Sequence, residues 1–213
     1  MMINKVPYVS NRNGVYAGCQ GPSTTMMVLK YFKPGLRITM PLLYKQIGYS
    51  KGKWFFEVYI VELLDKYGLK AVYYSSKKIA IIGRNAKTLK TVSGLDFYDT
   101  KQRIAFDIKH YDNSVKYVLK KKLVIFLHKI STDFIERQLN SGKLCVATLN
   151  RGKILKEKKY IGHFTLIKGY NKMGFVCNDS LFGEDYIIGY DLFRKSFYHL
   201  ENKKKVHDLI IVG

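Results

Sequence analysis

Cys19 stands in the stretch VYAGCQGPSTTMMVLKYF, residues 15–32, between Gly18 and Gly21 and directly before a helix start. A helix N-terminus presents unpaired N–H groups and the positive end of the helix dipole, so a thiol there ionises more readily and its thiolate is stabilised. The same N–H groups could receive the negative oxygen of a tetrahedral intermediate. Position alone leaves two readings open, a nucleophile or a small buried hydrophobe. A base in the right setting favours the first. His163 opens a hairpin-like segment, GHFTLIKGYNKMGFVCNDSLFG. With the turn centred on Asn171, His163 falls opposite Asp179, and opposed residues have Cβ atoms roughly 4.5–5.5 Å apart, close enough for a carboxylate to orient an imidazole. A register shifted by one residue presents Asn178 instead. Either group could fix the tautomer and direction of the ring.

The remaining reactive residues have structural readings. Cys145 and Cys177 lie inside apolar strand patterns and should be inert core thiols, and His110, His128, His199 and His207 sit among aromatics, at a strand end or after a lysine run. Three cysteines, odd in number and without zinc spacing, imply neither a disulfide framework nor a metal cluster. No glycine-rich phosphate loop is present, so no cofactor is expected.

The elements that must position Cys19 and His163 follow from the pattern. Pro22 suits the first turn of a helix that ends near Phe32. MPLLYKQIG and WFFEVYIVELLDKYG read as two further helices, closed by Gly48 and Gly68. LKAVYY is a strand, DNSVKYVLKKK a helix, LVIFLH a strand and STDFIERQLNSG a helix with a capping pattern at Asp133 and Glu136. KLCVATLN reads as an interior strand, the hairpin follows with its turn at Asn171 to Gly174, and DYIIGY and HDLIIVG add strands. Residues 75–115 show no clear periodicity. Helices crowd the first half and antiparallel strands the second, which predicts an α+β fold in one domain, 1–213, with a helical lobe over about 1–70 and a sheet lobe over about 120–213.

These residues carry a family resemblance. VPYVSNRNGVYAGCQGPSTTMMVLKYF resembles the opening of the double-glycine (bacteriocin leader) peptidases, and STDFIERQLNSGKLCVATLN is similar to the helix, turn and strand that precede their catalytic histidine. GHFTLIKGYNKMGFVCNDSLFG resembles their His-bearing strand, turn and Asp. The resemblance implies a papain-like cysteine peptidase fold with Cys19 as nucleophile, His163 as general base and acid, and Asp179 as the orienting carboxylate. The chain departs from the family in two places. Asn11 and Asn13 stand where the family has a Gln upstream of the Cys that donates to the oxyanion, and Ser180 follows the Asp where Pro is usual.

The expected function is peptide-bond hydrolysis through a Cys-His-Asp triad and a thioacyl intermediate. Two alternatives use the same fold: a peptide-binding module with little or no catalysis, or an acyl or amide transferase in which an amine captures the intermediate. The net charge of +21 comes from 37 basic and 16 acidic residues, but only seven of the bases are Arg. Without a nucleic-acid motif this excess argues for a peptide or protein substrate, and an acidic leader would suit it. No apolar run reaches the roughly 18–20 residues of a membrane helix, and MMINKVPYVSNRNG lacks a signal-peptide core. A cytoplasmic location is expected, or an extracellular one if a leader has been removed. Nothing in the pattern specifies an oligomeric state.

Overall fold

The computed structural model describes residues 2–10, 20–48, 54–81, 107–158, 160–201 and 204–213. Helix α1 (Gln20–Phe32) begins one residue after Cys19 and carries Pro22 in its first turn. Helices α2 (Met40–Ile47) and α3 (Glu57–Lys66) follow. Thr39 caps α2 by accepting from Leu42 N–H, and Gly48 and Gly68 both adopt the left-handed conformation that ends a helix without steric cost. Trp54 to Phe56, expected inside α3, form its extended lead-in.

Strand β1 (Met2–Ile3) precedes these helices, and β2 (Ala71–Ser75) follows them. Helix α4 (Ile108–Lys120) starts four residues earlier than its sequence pattern suggests, because the Asp107 side chain accepts from His110 N–H and caps it. Then come β3 (Val124–Phe126), α5 (Thr132–Asn140), β4 (Leu144–Asn150) and the short α6 (Arg151–Ile154). Ser131 caps α5 in place of the expected Asp133–Glu136 pair, and Glu136 accepts instead from Tyr190 Oη. Strands β5 (Gly162–Asn171), β6 (Gly174–Asp179) and β7 (Gly183–Gly189) form a meander. Helix α7 (Tyr190–Phe197), the pair β8 (His199–Glu201) and β9 (Lys204–Val206), and β10 (Asp208–Val212) complete the chain.

The main sheet runs β3-β2-β10-β4-β5-β6-β7, with β1 paired to β5. Its pairings are antiparallel except for β2 with β3. Side chains alternate between two apolar layers, as the pleat requires. Helices α1 to α4 cover one face, packing Met27, Leu43, Ile60 and Val115 on Val146, Leu166 and Ile210. Helices α5 and α7 cover the other, packing Ile135, Leu139, Phe193 and Phe197 on Cys145, Ile167, Phe175 and Cys177. Each large side chain removed from water contributes roughly 1.5–3 kcal/mol, so both faces fix the sheet firmly. Among the described residues no helix is long and apolar enough to cross a membrane.

Candidate active site

His163 is the second residue of β5 and Asp179 the last of β6, so both stand at one end of the sheet. His163 Nε2 lies 2.7 Å from Asp179 Oδ2, and both side chains are fully buried. Thr165 Oγ1 donates to the same Oδ2 at 2.6 Å. The other carboxylate oxygen, Oδ1, accepts from the backbone N–H groups of Leu181 and Phe182 at 2.9 and 3.0 Å. Burial works to raise the Asp179 carboxyl, but the bond and charge of His163, the Thr165 hydroxyl and the Phe182 N–H outweigh it and hold the group below its ordinary value. Phe182 also sets its ring edge-on to the imidazole, with centroids 5.5 Å apart, and stacks on Tyr186.

The pairing arises differently from the simple mirror expected of the hairpin. Its tip is Lys172–Met173, between the paired residues Asn171 and Gly174, so the turn is not centred on Asn171. The Tyr170–Phe175 register, continued unchanged, would put Leu166 opposite Asp179 and give Asn178 the face that His163 occupies. A bulge between Ile167 and Gly169 moves the register to Leu166–Asn178. One residue on, Asp179 meets Thr165, on the His163 face, and reaches the imidazole on the diagonal. The bulge is held from two sides. Lys168 O accepts from Asn4 N–H and Asn4 Nδ2 at 2.9 and 3.1 Å, and the buried Lys168 ammonium lies 2.6 Å from Asp185.

Asn178, the alternative partner, faces the opposite side. Its Nδ2 donates to Val6 O at 3.0 Å, and its Oδ1 accepts from Asp185 N–H. Cys19, Asn11 and Asn13 lie outside the described residues. The flanking structure nonetheless ties α1 to this end of the sheet. A Cβ on Gly21 would run into the Phe55 ring, and Phe55 packs edge-on against Phe164, the neighbour of His163, at 5.9 Å. Tyr8 Oη donates to Asp179 O at 3.3 Å, which docks the segment before Cys19 onto β6. His163 Nδ1 is buried and has no hydrogen-bond partner among the described residues.

The other thiols sit in the core. Cys145 and Cys177 are fully buried; burial pushes Cys145 up to about 12, and burial together with the Asp179 charge raises Cys177 well above an ordinary thiol. His207 is buried as well, with Nε2 accepting from Ile130 N–H at 3.1 Å. Among the described residues no group of three His, Cys, Asp or Glu side chains could hold a metal.

A second carboxylate cluster occupies the other face at the same end of the sheet. Thr148 Oγ1 donates to Glu57 Oε1 at 2.6 Å, while Tyr73 Oη and Ser75 Oγ each donate to Asp208 Oδ1 at 2.7 Å. Burial, followed by the nearby Asp208 charge, raises Glu57 to about 7, against the lowering effect of Thr148. The sequence reading passed over this cluster and Thr165. Thr165 was accessible to it, since a residue two positions from His163 must share its face.

A solved structure described as a double glycine motif protease from an AMS/PCAT transporter, in complex with the leader peptide, is similar to this chain. The similarity covers 99% of this chain and 93% of that one, with a TM-score of 0.51 and 16% sequence identity. The chain therefore has the papain-like fold of the double-glycine proteases, as the sequence resemblance implied. No family model and no curated protein matches the sequence.

Proposed function

We propose that this protein is a papain-like cysteine peptidase that cleaves a peptide substrate through Cys19, His163 and Asp179. The observation that carries the reading is the asymmetry of the His163 ring. Asp179 holds Nε2 at 2.7 Å, and Nδ1 has no partner among the described residues, so one ring nitrogen is fixed and the other is left to exchange a proton. In this reading His163 takes the proton of Cys19, and the thiolate attacks the scissile carbonyl. The leaving amine then departs with the proton from His163, and water, deprotonated by the same imidazole, hydrolyses the thioacyl intermediate. Asp179 keeps its charge throughout and stabilises the imidazolium. The N–H of Cys19 with Asn11 or Asn13 supplies the oxyanion contacts. The bound leader peptide of the similar protease supports a leader-type peptide ending in a double-glycine motif as substrate, and an acidic one suits the excess of lysine.

The test is cleavage of such peptides, followed by mass spectrometry, beside the pH dependence of Cys19 alkylation with Cys145 and Cys177 as internal references. The proposal requires a Cys19 thiolate that persists well below the free-cysteine value of about 8.5 and is lost in His163→Ala. An ordinary Cys19 titration, unchanged in the variant, defeats it and leaves a peptide-binding module of the same fold.

A further inference from the structure

Two donors converge on a single oxygen of Asp179, and only one of them belongs to the acid–base pair. His163 Nε2 and Thr165 Oγ1 lie 2.7 and 2.6 Å from Oδ2, while Oδ1 is fixed independently by two backbone N–H groups. The carboxylate therefore cannot rotate to share its charge differently. Thr165 has no exposed surface, so water cannot replace its hydroxyl. A donor on a carboxylate oxygen draws off part of the negative charge that would otherwise face the imidazolium. The two bonds on Oδ2 compete.

We propose that Thr165 is a positioning residue that holds Asp179 at the imidazole and limits how tightly the carboxylate retains the His163 proton. The inference rests on the reading of His163 as the acid–base group. Its consequence is a histidine that can give up the proton as well as take it, which a peptidase needs at both steps. Among the described residues the other ionisable groups near the pair are not placed to do this tuning at neutral pH. Cys177 on β6 is held protonated by burial, Tyr186 on β7 is likewise raised, and Lys168 on β5 is committed to Asp185.

The experiment is a ring-proton NMR titration of His163 in the full chain, assigned with His163→Gln, comparing wild type with Thr165→Val, Thr165→Ala and Thr165→Ser. Val keeps the shape and loses the hydroxyl; Ala loses it without a branched methyl to misfit. Both should move the titration midpoint upward by about one pH unit, and Ser should return it to the wild-type position. Hydroxyl-free variants that titrate with wild type, or lower, overturn the proposal, as does a Ser variant that fails to restore it. The readout needs no substrate. Absence of peptide cleavage with the expected titration would sink the peptidase reading and leave the role of Thr165 standing, whereas cleavage with unchanged titrations would do the reverse.

Discussion

Asp179 and Glu57 are carboxylates at one end of the same sheet, on opposite faces, and their surroundings drive them in opposite directions. Asp179 collects an imidazole, a hydroxyl and two backbone N–H groups, and is held below its ordinary value. Glu57 has the Thr148 hydroxyl on its side chain and the Asp208 charge nearby, and is raised to about 7. Withdrawal from water penalises both. The number and charge of the donors decides which stays ionised, and only the ionised one can steady an imidazolium.

The sharpest way to break this contrast is to remove the strongly held member. Asp179→Ala leaves the imidazole and the Thr165 hydroxyl buried without their acceptor, and should cost about 3–5 kcal/mol in denaturant unfolding, with loss of any low-pH thiolate at Cys19. The milder Asp179→Asn exposes the linkage. A depressed carboxyl contributes stability above its unfolded value and loses it as pH falls through the folded one. Wild type should therefore weaken steadily below about pH 4, and Asp179→Asn should lack that part of the acid slope.

Glu57 has the opposite sign. Its folded form binds the proton more tightly than the unfolded chain does, so stability falls as pH rises from the usual carboxylate range towards about 7, and then levels. Glu57→Gln should abolish that fall and, allowing for partial exposure, gain about 2 kcal/mol at pH 8 relative to wild type, measured by urea unfolding at pH 5 and 8. The smallest effect concerns the docking of the N-terminal segment. Tyr8→Phe removes one donor to Asp179 O and should cost about 1 kcal/mol without moving either pH limb; a moved acid limb would mean that Tyr8 acts on the carboxylate itself.

Much of this arrangement was legible in residue types. Gly48, Gly68 and Gly142 end helices in the left-handed conformation, as their places after apolar periodicity suggest. The hairpin tip fell within Asn171 to Gly174 as expected. Helix α7 escaped the reading, although Phe193 and Phe197 sit one turn apart, because the run into it from DYIIGY reads as continuous strand. The meeting of His163 and Asp179 was expected from an undistorted hairpin with a misplaced centre. A strand pattern reports which residues alternate, but not where the alternation slips, and the slip at Lys168 depends on Asn4 and Asp185, far away in sequence or on another strand. The carboxylate cluster was illegible for the same reason, since Glu57, Thr148 and Asp208 come from three separate parts of the chain.

The bulge at Lys168 makes the partner of His163 depend on pairing as well as on residue type. Exchanging one apolar side chain for another along the strand leaves that partner in place. Deleting Lys168 would erase the bulge and still leave Thr165 opposite Asp179, whereas keeping the residue and pairing it with Cys177 would turn Asp179 to the other face and present Asn178 to the histidine, replacing a charged partner with a neutral amide while altering neither residue. Two chains of the same length and sequence along these strands would then differ in what faces the histidine. Neither residue identity nor a count of positions reports that exchange; the contacts of Asn4 and Asp185 with Lys168 do.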